Sequence, residues 1–157
     1  CFYPIPDPSF KLDTYLGKWY QVAGYSFRET AGGECITAQY SLNPNGTVRV
    51  NNGGRAGETT IGAIGTATPV GKEYGKGGAF VVEFPQGFPS GCPGPNYIVQ
   101  EYKKGDYSIV QTQNWDTLFI LSREQFPSEE KLAKLIDRAV KLGSNATEII
   151  PFSQEGC

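Results

Sequence analysis

The feature of this sequence that most constrains its fold is a series of eight short runs, rich in β-branched and aromatic residues and separated by turn residues. Helical patterns are nearly absent between these runs, which favours an antiparallel meander. Eight such strands that close on themselves leave room for one small ligand. The sequence therefore predicts an all-β fold, an eight-stranded antiparallel up-and-down β-barrel, with strands at residues 19–26, 36–42, 47–51, 59–68, 79–84, 97–102, 107–112 and 118–122.

The chain is expected to form a single domain. Its 157 residues, of which 39% are hydrophobic, suffice for one core. We expect an N-terminal arm at residues 1–14, made extended by its prolines, then the barrel at 15–122, a helix at 128–142 and a C-terminal tail at 143–157.

The helix has the clearest local signals. Ser128 is a typical N-cap residue, and Gly143 stands where a helix commonly ends. Apolar residues recur at helical spacing, namely Leu132, Leu135, Ile136, Ala139 and Val140. This stripe predicts that the helix packs on the outside of the barrel.

Charge and composition exclude several partners and cofactors. The chain has 14 basic and 16 acidic residues and a net charge of −2, without the basic footprint that nucleic acid needs. No apolar stretch reaches the ~20 residues of a membrane-spanning helix. We therefore expect no nucleic acid partner and no integral membrane segment. We also expect no metal and no obligatory cofactor. The oligomeric state stays open.

Four cysteines, Cys1, Cys35, Cys92 and Cys157, lack the C-x-x-C spacing of zinc or redox sites. An even number favours two disulfides formed in an oxidising compartment, with three pairings open. The chain begins at Cys1 and contains no Met, as expected of a secreted product after removal of a signal peptide. Two sequons, at Asn45 and Asn145, are candidate glycosylation sites of such a chain, although Asn45-Gly46 is also a preferred hairpin turn.

A Gly-x-Trp motif opens the first predicted strand. Gly17 permits a positive φ or a close approach of the backbone, and Trp19 offers a large apolar face to a small core. Downstream, Leu118-Phe119-Ile120-Leu121-Ser122-Arg123 reads as a strand that ends in one arginine before the helix. This order of motifs resembles the lipocalin family. The stretches at 35–42, 45–46 and 64–70 resemble its apolipoprotein D and bacterial lipocalin branch.

The resemblance implies structural roles for several residues. It implies that the Arg123 guanidinium covers the Trp19 ring at the closed end of the barrel, and that the loop from Arg28 to Gly33 lies at the mouth. It also implies a disulfide between Cys35 and the C-terminal Cys157, which leaves Cys1 to pair with Cys92.

Alternation along the strands, matched to the family pattern, predicts which residues line the cavity. Hydroxyl groups from Tyr25 and Tyr40 suit a hydrophobic ligand that has a small polar end. The predicted ligand-binding residues are Gln21, Ala23, Tyr25, Ala38, Tyr40, Val50, Asn52, Val82, Phe84, Ile98, Phe119 and Leu121.

The resemblance implies a secreted carrier of a small hydrophobic molecule, such as a fatty acid, a sterol, a retinoid, or a bilin or carotenoid pigment. Two alternatives stay open. A lipocalin-type isomerase or synthase is disfavoured because the chain has no histidine, the commonest general base. A siderophore-sequestering protein is disfavoured because Arg49 and Arg123 are the only basic residues in the predicted strand regions. We therefore expect no enzyme and no catalytic residue.

Overall fold

The computed structural model describes residues 1–26, 33–85, 87 and 91–157. Its longer elements are two helices and nine strands within these ranges. They are α1 (Leu12–Tyr15), β1 (Gly17–Tyr25), β2 (Gly33–Leu42), β3 (Val48–Ala56), β4 (Thr59–Pro69), β5 (Ala79–Glu83), β6 (Tyr97–Lys103), β7 (Tyr107–Gln111), β8 (Leu118–Ser122), α2 (Glu129–Lys141) and β9 (Ile149–Pro151). Single turns of 3₁₀-helix occur at Lys72–Tyr74, Gln113–Trp115 and Ala146–Glu148. No helix in the described ranges is long and apolar enough to span a membrane.

The first eight strands form a closed antiparallel β-barrel. Neighbouring strands pair in sequence order from β2 to β8, β8 pairs with β1, and β1 pairs again with β2. The predicted fold class is thereby confirmed. The predicted strand bounds agree to within a few residues except at β3, which runs to Ala56 rather than 51 because the polar and glycine-rich stretch 52–56 still pairs with β4.

The sequence did not reveal α1 or β9. The four residues of α1 were assigned to the arm and the start of the barrel, and β9 was assigned to the tail. Both elements are too short to show a periodic pattern. Helix α1 directly precedes β1, and β9 pairs with the last three residues of β1.

Strand β1 changes neighbours halfway along one edge. Its first part, Gly17–Tyr20, pairs with β2, whereas Ala23 to Tyr25 pair with β9. The tail continues this bridge, since the Phe152 N–H donates to the Val22 carbonyl oxygen at 2.9 Å. The Gln154 amide then donates to the carbonyl oxygens of both β1 and β2. The C-terminal segment therefore closes the barrel where β1 and β2 diverge.

Two disulfides hold the chain ends against the barrel. Cys35 pairs with Cys157 (Cα–Cα 5.6 Å), and Cys1 pairs with Cys92 (Cα–Cα 5.9 Å). This is the predicted pairing. Each bond closes a long loop, so each should stabilise the fold by roughly 2–4 kcal/mol.

Strands β5 and β6 meet at a weak seam of the barrel, where only two residue pairs are in register, and the N-terminal arm covers this seam. The Asp7 N–H donates to the Val99 carbonyl oxygen, and the Asp7 carboxylate accepts from the Tyr102 N–H. On the other side of the seam, the Asn96 side chain acts as an extra ladder residue. It accepts from the Val82 N–H at 2.7 Å and donates to the Val82 carbonyl oxygen at 2.9 Å.

Helix α2 packs on the outside of the barrel, as predicted. Leu135 and Ala139 are buried against a second core that includes residues of β1, β7 and β8. Ser128 caps the helix by accepting from the Lys131 N–H, and Gly143 has the positive φ of a C-terminal glycine.

Glu101 of β6 links the barrel to this helix. Its carboxylate accepts from the Arg138 guanidinium and, at 2.8 Å, from the Tyr107 hydroxyl. The bond from Arg138 is the main cause that lowers the pKa of Glu101 below its ordinary value, against the opposing effect of partial burial. A carboxylate with a lowered pKa stabilises the folded state above its unfolded-state pKa, and this contribution is lost as the pH falls through the folded-state value.

We predict that Glu101→Gln lowers the melting temperature at pH 7, and that the difference from wild type shrinks as the pH falls below about 4.5. Thermal unfolding at several pH values measures this. Glu130→Gln is the matched control, because it removes a carboxylate whose ion pair, with Lys134, is exposed. A difference at Glu101 that persists unchanged at pH 3 would contradict the assignment.

Candidate functional site: the barrel cavity

Arg123 and Trp19 close one end of the barrel. The guanidinium carbon lies 3.7 Å from the centroid of the Trp19 ring, which is the arrangement that the family resemblance implies. The same guanidinium donates to four carbonyl oxygens, of Thr14, Tyr15, Leu16 and Lys18, at 2.8 to 3.2 Å. These carbonyls belong to the end of α1 and the residues after it, where a helix leaves its acceptors unsatisfied. Arg123 therefore fixes α1 across the bottom of the barrel.

Gly17 is required where α1 turns into β1. Its φ is +101°, a value that L side chains rarely adopt, and a Cβ there would sit 3.5 Å from Arg123 Nη1. The Trp19 indole N–H donates to the Tyr15 carbonyl oxygen at 2.8 Å, which ties the same corner from inside. The Gly-x-Trp motif thus stabilises the turn from α1 into β1 at the closed end of the barrel.

Above this closed end lies a cavity of about 400 Å³. This volume is within the range of small-molecule sites. Its wall is mostly apolar, and none of the described residues that line it carries a charge. They are Leu12, Tyr15, Gln21, Ile36, Thr37, Ala38, Tyr40, Val48, Val50, Asn52, Gly53, Ile61, Gly62, Ala63, Ala67, Phe80, Val82, Phe84, Gly87, Asn96, Tyr97, Phe119 and Leu121.

Three tyrosines give the cavity a polar floor. The hydroxyl oxygens of Tyr15 and Tyr97 lie 2.6 Å apart, and those of Tyr97 and Tyr40 lie 2.9 Å apart. Tyr15 also contacts the Ser108 hydroxyl at 2.9 Å. The four hydroxyls form one continuous hydrogen-bonded chain, from Ser108 behind the floor to Tyr40 at the cavity.

Burial keeps these tyrosines protonated. Desolvation is the main cause in each case; it raises the pKa of Tyr40 to about 12, and it raises those of Tyr15 and Tyr97 well above their ordinary value. The floor of the cavity is therefore neutral at physiological pH. Its hydroxyls offer hydrogen bonds but no charge.

Most of the residues predicted to bind a ligand line the cavity wall. Alternation from Trp19 and the family pattern placed them on the inner face, and the structure brings them together there. They are Gln21, Ala38, Tyr40, Val50, Asn52, Val82, Phe84, Phe119 and Leu121.

Ala23 and Tyr25 were wrongly assigned to the cavity. A β-bulge shifts the register of β1 between Gln21 and Ala23, so the residues after it exchange faces. Both residues belong to the core under α2, and the Tyr25 hydroxyl accepts from the Asn145 N–H at 2.6 Å, outside the barrel.

Ile98 was also assigned to the wrong face. Tyr97 lines the cavity and Val99 belongs to the interior core, so the residue between them points outward. Ile98 is fully buried there. Because residues 97–99 are all apolar or aromatic, the sequence does not show which alternate residues face inward.

Several residues of the cavity wall were not predicted from the sequence. Val48 and Phe80 lie two positions before the assigned Val50 and Val82, so strict alternation would have found them. Tyr15 was not found because it is on the unpredicted α1. Tyr97 was not found because the assignment of Ile98 to the inner face placed Tyr97 on the outer face. No sequence signal distinguished them from ordinary core aromatics.

Two other predictions concern the surface. Residues 28–32 of the predicted mouth loop lie outside the described residues, and Gly33 is the first residue of β2. Asn45 and Asn145 are exposed, and each side chain accepts from the hydroxyl of the threonine two residues later. In the β2–β3 turn only Gly46 has a positive φ, so the turn is not the two-residue type that Asn-Gly favours. Glycosylation stays a prediction.

A closed eight-stranded barrel around one deep apolar cavity defines a class of proteins that hold a small molecule inside a β-barrel. Residues 10–154 match the family model of the lipocalin-like domain. The chain therefore belongs to the lipocalin family.

Its relatives come from both bacteria and animals. The chain is 30% identical over 154 residues to the outer membrane lipoprotein Blc of Vibrio cholerae, covering 97% of this chain and 86% of the relative. It is 40% identical over 72 residues to bovine apolipoprotein D, covering 44% of this chain and 36% of that protein. Insecticyanin from the tobacco hornworm Manduca sexta has a similar structure, with a TM-score of 0.73 and 18% identity over 99% of this chain and 86% of its own.

We predict that Arg123→Ala lowers the free energy of unfolding by about 2–3 kcal/mol, because it removes several charged hydrogen bonds and the contact with the Trp19 ring. Arg123→Lys keeps the charge but loses the planar fork, so it should lose most of the same stability. Denaturant unfolding measures both.

Arg123 does not line the cavity, so the folded fraction of either variant should bind an apolar probe as wild type does, within about twofold. A selective loss of binding with unchanged stability would show that Arg123 serves the ligand instead.

Proposed function

We propose that this protein is an extracellular carrier of a small hydrophobic molecule, which it holds in the barrel cavity. The observation that carries the proposal is the cavity itself: a volume of about 400 Å³ walled by aliphatic and aromatic side chains. Native interiors are close-packed and seldom leave a void of this size. A wall of this character favours a ligand that is mostly apolar.

Apolar burial would supply most of the affinity. A ligand that buries about 300 Å² of apolar surface gains about 7.5 kcal/mol at ~25 cal/mol/Å². Part of this gain is lost to immobilisation of the ligand. Fatty acids, sterols, retinoids, and bilin or carotenoid pigments all have enough apolar surface for this mode of binding.

The charge of the cavity favours a carrier of neutral or weakly polar molecules over a siderophore-binding protein. Arg49 is exposed on the outer face of β3, and Arg123 is engaged with carbonyl groups and the Trp19 ring. The tyrosines of the floor also disfavour general base catalysis, since burial moves their pKa values away from neutrality.

The extracellular location rests on the two disulfides, which persist in oxidising compartments. The bacterial relatives are described as outer membrane lipoproteins, so they do not support an extracellular location. Secretion is therefore inferred from the chemistry of this chain rather than from its relatives.

Native mass spectrometry of protein purified from its source tests the proposal. We expect a retained molecule of a few hundred daltons that organic extraction removes. Visible absorption of the same sample would narrow the ligand to a pigment. Protein that arrives empty, and that binds no apolar fluorophore after purification, would contradict the proposal.

A matched pair of variants tests whether the cavity is the binding site. Ala67 lines the cavity and its neighbour Thr66 is exposed on the outer face of the same strand. We predict that Ala67→Phe, which places a ring in the cavity, lowers the affinity for an apolar fluorophore by more than tenfold, whereas Thr66→Phe leaves it unchanged. If the two substitutions change the affinity for the fluorophore equally, the fluorophore binds outside the cavity.

A further inference from the structure

The chain of hydroxyls at the cavity floor has a direction that the structure defines. Each hydroxyl has one hydrogen to donate and two lone pairs to accept with. Four hydroxyls joined by three hydrogen bonds leave one hydrogen over. The bonds strengthen one another when all three run in the same direction, and in that arrangement the spare hydrogen belongs to the hydroxyl at one end of the chain. The two ends are Ser108 and Tyr40.

Ser108 is the unfavourable end for an unpaired hydrogen. It is completely buried, and among the described residues the Tyr15 hydroxyl is the one partner of its side chain. A buried donor without an acceptor loses its bond to water and gains nothing in exchange, which destabilises the folded state. The chain therefore runs outward, with Ser108 donating to Tyr15, Tyr15 to Tyr97 and Tyr97 to Tyr40.

This direction leaves the Tyr40 hydroxyl with the unused hydrogen. Tyr40 is 7% exposed and lines the cavity, and the Tyr97 hydroxyl is the one recorded partner of its oxygen in the described part of the chain. Donors in a hydrogen-bonded chain polarise one another, which strengthens the last one. The floor thus presents one strong donor into an apolar space.

The surroundings of Tyr40 decide which acceptor suits it. No charged side chain lines the described part of the cavity. The Arg123 guanidinium, which closes this end of the barrel, is already shared among four carbonyl oxygens. A carboxylate placed on the floor would have to lose its hydration without gaining a counter-ion, which is costly.

We propose that Tyr40 is the polar anchor of the cavity and selects ligands whose buried end is a neutral hydrogen-bond acceptor, such as a ketone, aldehyde or ester carbonyl, over ligands that end in a carboxylate. This inference rests on the proposed carrier function and narrows its ligand class. The high pKa of Tyr40 supports it, since the donor is retained throughout the physiological range.

Three unbranched thirteen-carbon chains test the anchor on the unmodified protein. Tridecane, 2-tridecanone and tridecanoate compete at pH 7.5 with the apolar fluorophore N-phenyl-1-naphthylamine. We expect the ketone to bind about three- to tenfold more tightly than the hydrocarbon, as one net hydrogen bond provides. We expect tridecanoate to bind at least tenfold more weakly than the ketone.

Tyr40→Phe removes the hydroxyl and keeps the ring. The spare hydrogen then passes to Tyr97, at another position in the cavity wall. Tyr40→Phe should therefore reduce the advantage of the ketone over the hydrocarbon and leave the affinity for the hydrocarbon unchanged. Tyr20→Phe is the matched control, because Tyr20 packs against the core outside the barrel interior. It should preserve the advantage of the ketone.

The outcomes separate this inference from the carrier proposal. If the fluorophore and tridecane bind but the ketone has no advantage, or if tridecanoate binds as tightly as the ketone, the anchor is wrong and the carrier proposal stands. An equal loss for all three ligands in Tyr40→Phe would also overturn the anchor. If neither the fluorophore nor any of the chains binds wild type, the carrier proposal itself fails. The comparison on wild type decides the question even if Tyr40→Phe does not fold.

Discussion

The contact between Arg123 and the residues that lead into β1 supports everything above it in the barrel. One guanidinium satisfies four carbonyl oxygens and covers the Trp19 ring, so α1 is held across the bottom of the barrel. The position of α1 sets that of Tyr15, and Tyr15 connects Ser108 to the other tyrosines. A cation outside the cavity thereby defines a neutral, hydrogen-bonding floor inside it. The charge itself is kept away from any ligand.

The general plan of the molecule could be derived from the sequence because it depends on repeated signals. Eight runs at regular spacing specify the barrel, and the capped amphipathic stripe specifies α2. The wall of the cavity follows from alternation wherever a strand is regular. Alternation failed at Ala23 and Tyr25 because a single extra residue in β1 reverses every later side chain. Nothing local in residues 21–23 marks that bulge.

The floor of the cavity was less accessible to sequence reasoning for a different reason. Tyr15, Tyr40 and Tyr97 are separated by 25 and 57 positions, and their hydroxyls meet only when the barrel closes. Tyrosines at these positions are also compatible with an ordinary core, since an aromatic ring suits both environments. What distinguishes them is the partner of each hydroxyl. That property belongs to the tertiary structure alone.

The pairing of β1 with β9 has a consequence for how the protein is made. Strand β1 cannot pair with β9 until β9 is synthesised, more than a hundred residues later. The bond between Cys35 and Cys157 joins the same distant regions. Contacts of such long range slow folding. During synthesis the polypeptide cannot pair the edge of β1 from Ala23 to Tyr25 until residues 149–151 have left the ribosome. The nascent chain therefore exposes strand edges until then, and protection from aggregation in that interval falls to the cell rather than to the finished fold.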